Sequence, residues 1–591
     1  MYSFAAAAGI AHSVSIYLLK NSTDSVDLLD IHHTNLRHDA APPRATMSSP
    51  YPDPDLKPVS QRTSLATLTN PLPDGCSYGS IPSKDASPAE RVIWVEFPPD
   101  SRDNPFYFST KRKVGITLCA LIYCWYCSIT ASAFSIQSGA MCEDLNCPHL
   151  GAEAGIALYA WGAGIMPLFV APVSEEFGRR PVYLVALFFL LVFHVLQAVA
   201  QNTATALVAR FLAGVAGSVG TSVVGGTVAD IFTPAHRGLP MMLTGFILYF
   251  ATGIGGTIFA YVTTRLGWRW TWWIIVISLG ACVPLFVLVM PETRSSIILR
   301  RRAKKLRTER GLSDGGRYLS HPEIEKVRFL TALKTSLTRP LIFLVTEPIV
   351  MFFSLWVALA WSVMYVQVAG LPYMMRTLYG FNTEQVGLVY LTACLGACFG
   401  YLGGYAQEYL YRRYAPTKGV EARLFTPMVA GVLFALGCFI TGATARSEIH
   451  WIASAIGQVV VITAVMIIYV TAFTYVSECY GTYASSAMAS QSCLRNMVGG
   501  GIAFGTTSMF KGMSVRWALI LMGGIAALLA LVPFVAFFYG PAIRQRSPYS
   551  RELMRQEREA LDAERVQREL RGMDMTGAED IEGEVYEKER E

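Results

Sequence analysis

Twelve stretches of this sequence are each about long enough to cross a bilayer and almost free of charge, and this restricts the fold more than any other feature. The run VYLVALFFLLVFHVLQAVA, residues 182–200, is representative. About 20 apolar residues span the hydrocarbon core as a helix. In lipid every backbone polar group must be satisfied within the protein, which for runs of this length means helices. The first six segments are 114–136, 152–171, 182–200, 205–228, 239–262 and 270–290. The second six are 341–369, 385–404, 425–444, 451–476, 484–509 and 515–539.

Composition agrees with a membrane protein. Of 591 residues, 52% are hydrophobic and 16% charged, against about 25% charged in soluble domains. The net charge of +6 is small for this length. No basic patch is interleaved with aromatics, which argues against a nucleic-acid partner.

Loop charges set the orientation. With the N-terminus inside, the short inner loops hold Arg179, Arg180, Arg237, Arg412, Arg413, Lys418 and Arg423, and the basic central loop adds many more. The outer loops hold only Arg265, Arg269, Arg376, Arg446, Lys511 and Arg516. The chain therefore divides into a disordered cytosolic tail (1–110), a six-helix half (111–290), a cytosolic loop (291–340), a second six-helix half (341–540) and a charged cytosolic tail (541–591). The first twenty residues lack the basic start of a signal peptide. Met47 is an alternative start.

Cys124 and Cys127 form a CxxC inside an apolar run, with no second pair or nearby histidines to complete a zinc site. Neither metal nor other cofactor is expected. Cys142 and Cys147 share one short outer loop, where a disulfide is possible.

Two inner loops echo each other. From Ala171 the chain reads APVSEEFGRR, and from Gly404 it reads GYAQEYLYRR. Each has a small residue, a glutamate four later (Glu175, Glu408) and an arginine pair at eight and nine (Arg179 and Arg180, Arg412 and Arg413). They lie between segments 2 and 3 and between segments 8 and 9, equivalent places in two sixes. Six-helix halves repeated in one orientation are a signature of one class of secondary transporter.

With these motifs the sequence resembles the major facilitator superfamily. APVSEEFGRR is similar to its loop 2–3 signature, with Ala171 in place of a glycine and Glu175 in place of the more usual aspartate. The stretches ARFLAGVAGS (209–218), VADIFTPAHRG (228–238), PETRSSIILRRRAKKLR (291–307), EPIVMF (347–352), ASSAMASQSCLRN (484–496) and YGPAIRQRSP (539–548) resemble the fungal twelve-spanner drug:proton antiporter branch. The resemblance implies an all-α membrane protein of twelve transmembrane helices in two six-helix halves, with both termini cytosolic. Members related to polyamine-type carriers and secondary-metabolite or multidrug exporters look most similar. Two motifs depart from the branch. The antiporter signature of segment 5 reads ATGIGG, with Ala251 and Thr252 in its first two places and Gly255 and Gly256 retained. In segment 4 Arg210 survives, but Ala213 stands where the family has glutamine.

Charge inside a membrane segment costs about 2.5–3.5 kcal/mol on insertion scales, so each instance is a functional candidate. Arg210 lies beside a stripe of small residues, Ala213, Gly214, Gly217 and Gly220. The resemblance implies a coupling role for it; snorkelling to the outer surface is the alternative. Glu347, next to the helix-breaking Pro348, is either a proton site or an ion-pair partner. In segment 11 Gln491 and Arg495 share a face at i and i+4 beside Asn496. Gln137, Trp356, Trp361, Tyr365, Gln367 and Tyr469 could line a cavity, where aromatic rings bind planar or cationic ligands, or simply pack. Glu175, Gly178, Arg179 and Arg180, with Glu408, Arg412 and Arg413, form an expected conformational gate, Glu175 and Arg179 or Arg180 bridging neighbouring helix ends on the inner side; the alternative is that the arginine pairs only anchor the loops inside.

The expected function is secondary active export of small organic molecules by proton antiport and alternating access. The alternative is a proton-coupled importer or facilitator of polyamines or another nutrient cation. No GxxxxGK[ST], HExxH or GxSxG occurs, so neither an ATP motor nor an enzyme is expected. The expected partners are substrate, protons and lipid, with the chain acting as a monomer in the plasma membrane rather than the vacuole.

Overall fold

The computed structural model describes residues 73–81, 90–98, 101–147, 149–233, 236–310, 317–324, 329–547, 549–555 and 559. Two strands come first, β1 (Cys76–Ile81) and β2 (Glu90–Val95). The first half is built from α1 (Thr110–Asp144), α2 (His149–Ile165), α3 (Pro167–Phe177), α4 (Arg179–Ala198), α5 (Thr203–Ile231), α6 (Gly238–Leu266) and α7 (Trp268–Val289). The central loop supplies α8 (Ser295–Arg310) and β3 (Arg317–Leu319). The second half begins with α9 (Phe329–Thr346), α10 (Pro348–Tyr379), α11 (Thr383–Val389) and α12 (Leu391–Lys418). It ends with α13 (Phe425–Thr444), α14 (Trp451–Tyr480), α15 (Ala484–Phe504), α16 (Thr506–Leu529) and α17 (Leu531–Arg546).

Every apolar segment falls on helix, and the breaks have local causes. Pro167 separates α2 from α3, which bend by 42°. Pro348 starts α10 and leaves Glu347 as its non-helical N-cap, so the helix breaks outright there. Gly178 turns α3 into α4 at φ +102°, a conformation open to glycine. Asn202 caps α5 by accepting from the Thr205 amide, and Asn382 with Gln385 forms a capping box on α11.

Among the described residues ten helical spans are long and apolar enough to cross a membrane, eleven if the bent pair α2–α3 counts as one. The helix at segment 11, α15, is not among them. Ser490, Gln491, Ser492, Arg495 and Asn496 make it too polar, although all five are buried.

The expectation of disorder over 1–110 does not hold for residues 76–81 and 90–95. β1 pairs antiparallel with β2, and β2 pairs parallel with β3 from the central loop. Ile93, Val95, Tyr318 and Ala303 of α8 form a small apolar core there, and His321 stacks on Trp94 at 4.0 Å. Residues 1–72, Met47 included, with 82–89, 99–100 and 560–591, lie outside the described residues. Described residues up to Gly540 form one compact unit, and those from Pro541 belong to another. In the latter, Arg555 pairs with Glu552 at 2.8 Å.

Glycines set the approach of helices within the first half and where the halves meet. A Cβ on Gly255 would meet Ile129 and Ser132 of α1, and one on Gly256 would enter the Tyr390 ring. Tyr390 in turn donates to the Val368 carbonyl at 2.7 Å, tying α6, α10 and the start of α12 together. Gly256→Val is therefore expected to cut the yield of monodisperse protein severalfold in fluorescence size-exclusion, through overpacking of about 1–3 kcal/mol. Gly280→Ala, where nothing lies within 4 Å, should leave yield unchanged.

Candidate functional site

Two arginines lie fully inside the helical bundle, and neither has an ion-pair partner among the described residues. Arg210 of α5 donates from Nε to the Gly155 carbonyl at 3.2 Å. Its guanidinium lies 4.2 Å from the Tyr159 ring and 4.6 Å from Phe134, with both Nη atoms unbonded. It therefore turns inward rather than snorkelling. Arg495 of α15 lies between Trp361 at 4.4 Å and Tyr469 at 4.8 Å. Cation–π contacts contribute roughly 0.5–2 kcal/mol each, which offsets only part of the desolvation of a guanidinium.

Around Arg495 the structure gathers several expected cavity residues. Trp361 stands edge-on to Tyr249 of the first half at 6.1 Å, and Gly499 packs on Tyr365. The Gln491 side chain is buried with both amide atoms unbonded, as are the amide atoms of Gln367. Gln367 also lines a cavity of about 30 Å³ with Tyr249, Thr252, Met364 and Tyr390, space for about two waters. Polar side chains buried without partners are rare in folded proteins, and each calls for a partner such as water, an ion or a ligand.

Other expected members sit elsewhere. Gln137, its amide oriented by its neighbours, donates to the Trp268 carbonyl and accepts from Trp272 Nε1, both at 2.8 Å, so it ties α1 to α7. Trp356 packs on Phe353 and against Gly431 of α13, within the second half. Asn496 donates to the Ser492 carbonyl in its own helix. Glu347 is fully buried and accepts from the Tyr480 hydroxyl at 2.9 Å.

At the end bearing the repeated loops, Arg179 does not pair with Glu175. Its Nε binds Asp230 at 3.1 Å, Nη1 donates to Ser174, and its backbone amide donates to Glu292 at 2.9 Å. The guanidinium lies across Gly226, where a Cβ would come within 2.6 Å of Nη2. Arg294 joins Asp230 at 3.4 Å and reaches Glu175 at 3.8 Å. Arg180 donates to the Val287 carbonyl. The VADIF and PETR motifs thus supply the acids.

The second half repeats this geometry with a different arginine. Arg423, not the Arg412–Arg413 pair, is buried and binds Glu408 and Glu478, both at 2.8 Å. Arg412 reaches only Glu408 at 3.4 Å with a largely exposed side chain, and Arg413 lies over Tyr414. Arg179–Asp230 and Arg423–Glu478 each join the start of a half's third span to the end of its fourth. At the opposite end Cys142 and Cys147 are disulfide-bonded.

Sequence reasoning missed Asp230, Glu292 and Arg423 as gate members, and three buried polar residues besides. His194 stacks on Trp272 at 5.4 Å with neither ring nitrogen bonded, and Gln197 one turn on has an unbonded amide. Glu153 of α2 accepts from the Thr507 amide of α16. For His194 and Gln197 the signal was polarity inside an uncharged run.

The model of the Major Facilitator Superfamily matches residues 116–506. An MFS transporter of Aspergillus oryzae is 30% identical over 485 residues, covering 81% of this chain and 97% of that one. A probable drug/proton antiporter of Saccharomyces cerevisiae is 28% identical, covering 79% of this chain and 91% of that one. Among solved structures, a proton:xylose symporter of the same superfamily superposes with a TM-score of 0.55 at 13% identity, over 73% of this chain and 96% of that chain.

Proposed function

Because the chain belongs to the Major Facilitator Superfamily, whose members are multi-pass secondary transporters and not enzymes, we propose that it exports small organic molecules in exchange for protons. The observation that carries this reading is Arg495 between Trp361 and Tyr469, one turn after the unbonded amide of Gln491, with Trp361 in contact with Tyr249, which lines the cavity that holds the unbonded amide of Gln367. Flat apolar faces next to unsatisfied donors and acceptors suit organic molecules that combine rings with a few polar groups. The printed name of the yeast relative, a drug/proton antiporter, supports the same class.

In this reading α15 is the remaining span, giving twelve helices, and both termini are cytosolic. A polar helix is tolerated in lipid when its polar residues face protein, and those of α15 are buried. The chain works as a monomer in the plasma membrane. Arg179–Asp230 and Arg423–Glu478 each brace two spans of one half at the cytosolic end, so that each half moves as a unit when the halves rock. Arg210 and Glu347 are candidates for coupling. A proton entering through 100 mV gains roughly 2.3 kcal/mol before any pH gradient, enough to hold about a fifty-fold concentration ratio of a neutral substrate.

The test is efflux of rhodamine 6G from yeast cells producing the chain. Faster efflux than in control cells is expected, falling to the control rate when a protonophore is added. Efflux that ignores the protonophore would refute proton exchange, and net proton-driven uptake of labelled spermidine in vesicles would establish import instead.

A further inference from the structure

Arg495 stands halfway along α15 as a full positive charge that no acid balances. It is 1% exposed, its Nε has no partner, and its one hydrogen bond among the described residues is long, Nη2 to Ser492 Oγ at 3.4 Å. A guanidinium carries five N–H donors in a planar fork and keeps its charge at any physiological pH. The ring contacts to Trp361 and Tyr469 ease that charge, but they do not satisfy the N–H groups as an oxygen would.

The elements packed around α15 bring no carboxylate to this level. Helices α6, α9, α10, α15 and α16 contain no acid. On α14 the one acid, Glu478, is about two and a half turns from Tyr469 and pairs with Arg423. On α2 Glu153 lies about two turns before Trp161, which donates to the Met497 carbonyl of α15, and its Oε1 is taken by the Thr507 amide. His149 is one turn further out, with its side chain outside the described residues. Glu347, before α10, is almost four turns from Trp361 and bound to Tyr480. Glu175 and Glu176 of α3 pair with Arg294 and Arg300. Arg210 likewise has no ion-pair partner among the described residues, and Tyr365 stands within electrostatic reach of both arginines. The site is therefore positive.

Resting on the export reading above, we propose that the preferred substrates of this site are ring-bearing organic acids, held as carboxylates on Arg495. Two parallel N–H···O bonds match a carboxylate to a guanidinium edge. Gln491, at i−4 on the same face and with its amide unbonded, offers one more donor. The rings lie against Trp361 and Tyr469. Such a substrate supplies the counter-charge that the chain lacks; the uncharged amide of the same acid does not, and an organic cation sets like charge beside like charge. Rhodamine 6G, whose positive charge is spread over its rings, reaches the site through those rings and an ester carbonyl, and ranks below such acids.

Thermal unfolding of the purified full chain in detergent tests this, because a ligand that binds only the folded state raises its melting temperature. Three probes share one ring system: 1-naphthoate, ionised at pH 7, the uncharged 1-naphthamide, and 1-naphthylmethylammonium. The readout is the concentration that gives half the maximal shift. In the wild type, naphthoate is expected to need roughly tenfold less than naphthamide, since charge-assisted hydrogen bonds are the stronger ones, and the ammonium more than either. Arg495→Gln should bring acid and amide within about twofold of each other, because the charge is gone. Arg495→Lys, a point charge without the fork, should keep a smaller preference for the acid. Monodisperse elution verifies the fold of each variant; if Arg495→Gln fails it, Arg495→Lys and the order of the three probes on the wild type carry the test. A wild type on which the acid gains nothing over the amide, or a preference that survives in full in Arg495→Gln, overturns the inference. Failure of the export reading appears separately, as rhodamine 6G efflux no faster than in control cells, and leaves the order of binding untouched.

Discussion

Arg423→Ala is expected to reduce transport at least tenfold and to lower the recovered folded protein, whereas Arg412→Ala and Arg413→Ala stay within twofold of wild type. The sequence repeat points to the arginine pair, but burial separates the three residues. The Arg423 side chain is 9% exposed and answers both Glu408 and Glu478; that of Arg412 is 61% exposed and touches Glu408 alone. Removing one partner from a buried pair costs on the order of 3 kcal/mol, because the charges left behind remain desolvated. An exposed i,i+4 pair contributes about 0.3–0.5 kcal/mol. Arg179→Ala should match Arg423→Ala, since Asp230 would keep only Arg294. Rhodamine 6G efflux normalised to protein amount at the membrane checks all four variants. Equal losses for Arg412→Ala and Arg423→Ala would show that the loop pair carries the gate.

Arg495→Ala is expected to abolish rhodamine 6G transport, at least a hundredfold, while the protein still reaches the membrane. The guanidinium fills the space between Trp361 and Tyr469, next to the Gln491 amide. Its loss costs two cation–π contacts, roughly 1–4 kcal/mol together, but also relieves a buried uncompensated charge. These terms oppose one another in stability, so the fold should survive. They do not oppose one another in binding, where a donor set and a wall of the site disappear together. Arg495→Lys keeps the charge but not the planar stack and should retain partial activity. Unaltered efflux in Arg495→Ala would move the substrate site elsewhere.

How far the sequence revealed this protein depends on whether a constraint is local. Lipid demands long uncharged helices, so the apolar segments and the proline effect at Pro348 were legible, while the break at Pro167 inside segment 152–171 was not read. The loop repeat was legible as spacing, but its partners were not. Asp230 and Glu292 meet Arg179 from 51 and 113 residues away, a distance no periodicity reports. Arg423 was missed because the two loops were aligned on the helix before them. Aligned on the helix that follows, Arg179 at the start of α4 corresponds to Arg423 just before α13. Of the expected cavity residues, Trp361, Tyr365, Tyr469, Gln491 and Arg495 come together because α10, α14 and α15 adjoin. Gln137 and Trp356 carried the same side-chain chemistry but face other helices. Strands 76–81 and 90–95 were hidden by Pro- and Ser-rich flanks, and their partner lies past the whole first half.

That sheet shortens the leash between the halves. A central loop of about 50 residues suggests ample slack, yet β3 is hydrogen-bonded to β2 over residues 317–319. Only nine residues, 320–328, remain between β3 and the start of α9. Drawn out fully they reach roughly 35 Å, and a helical turn at 321–324 takes up part of that. Any excursion of the second half that exceeds this reach must either peel β3 from its neighbour or lift the sheet, with α8 and its Arg300–Glu176 pair, from the first half, so a segment outside the bundle resists a wide swing of the transporter.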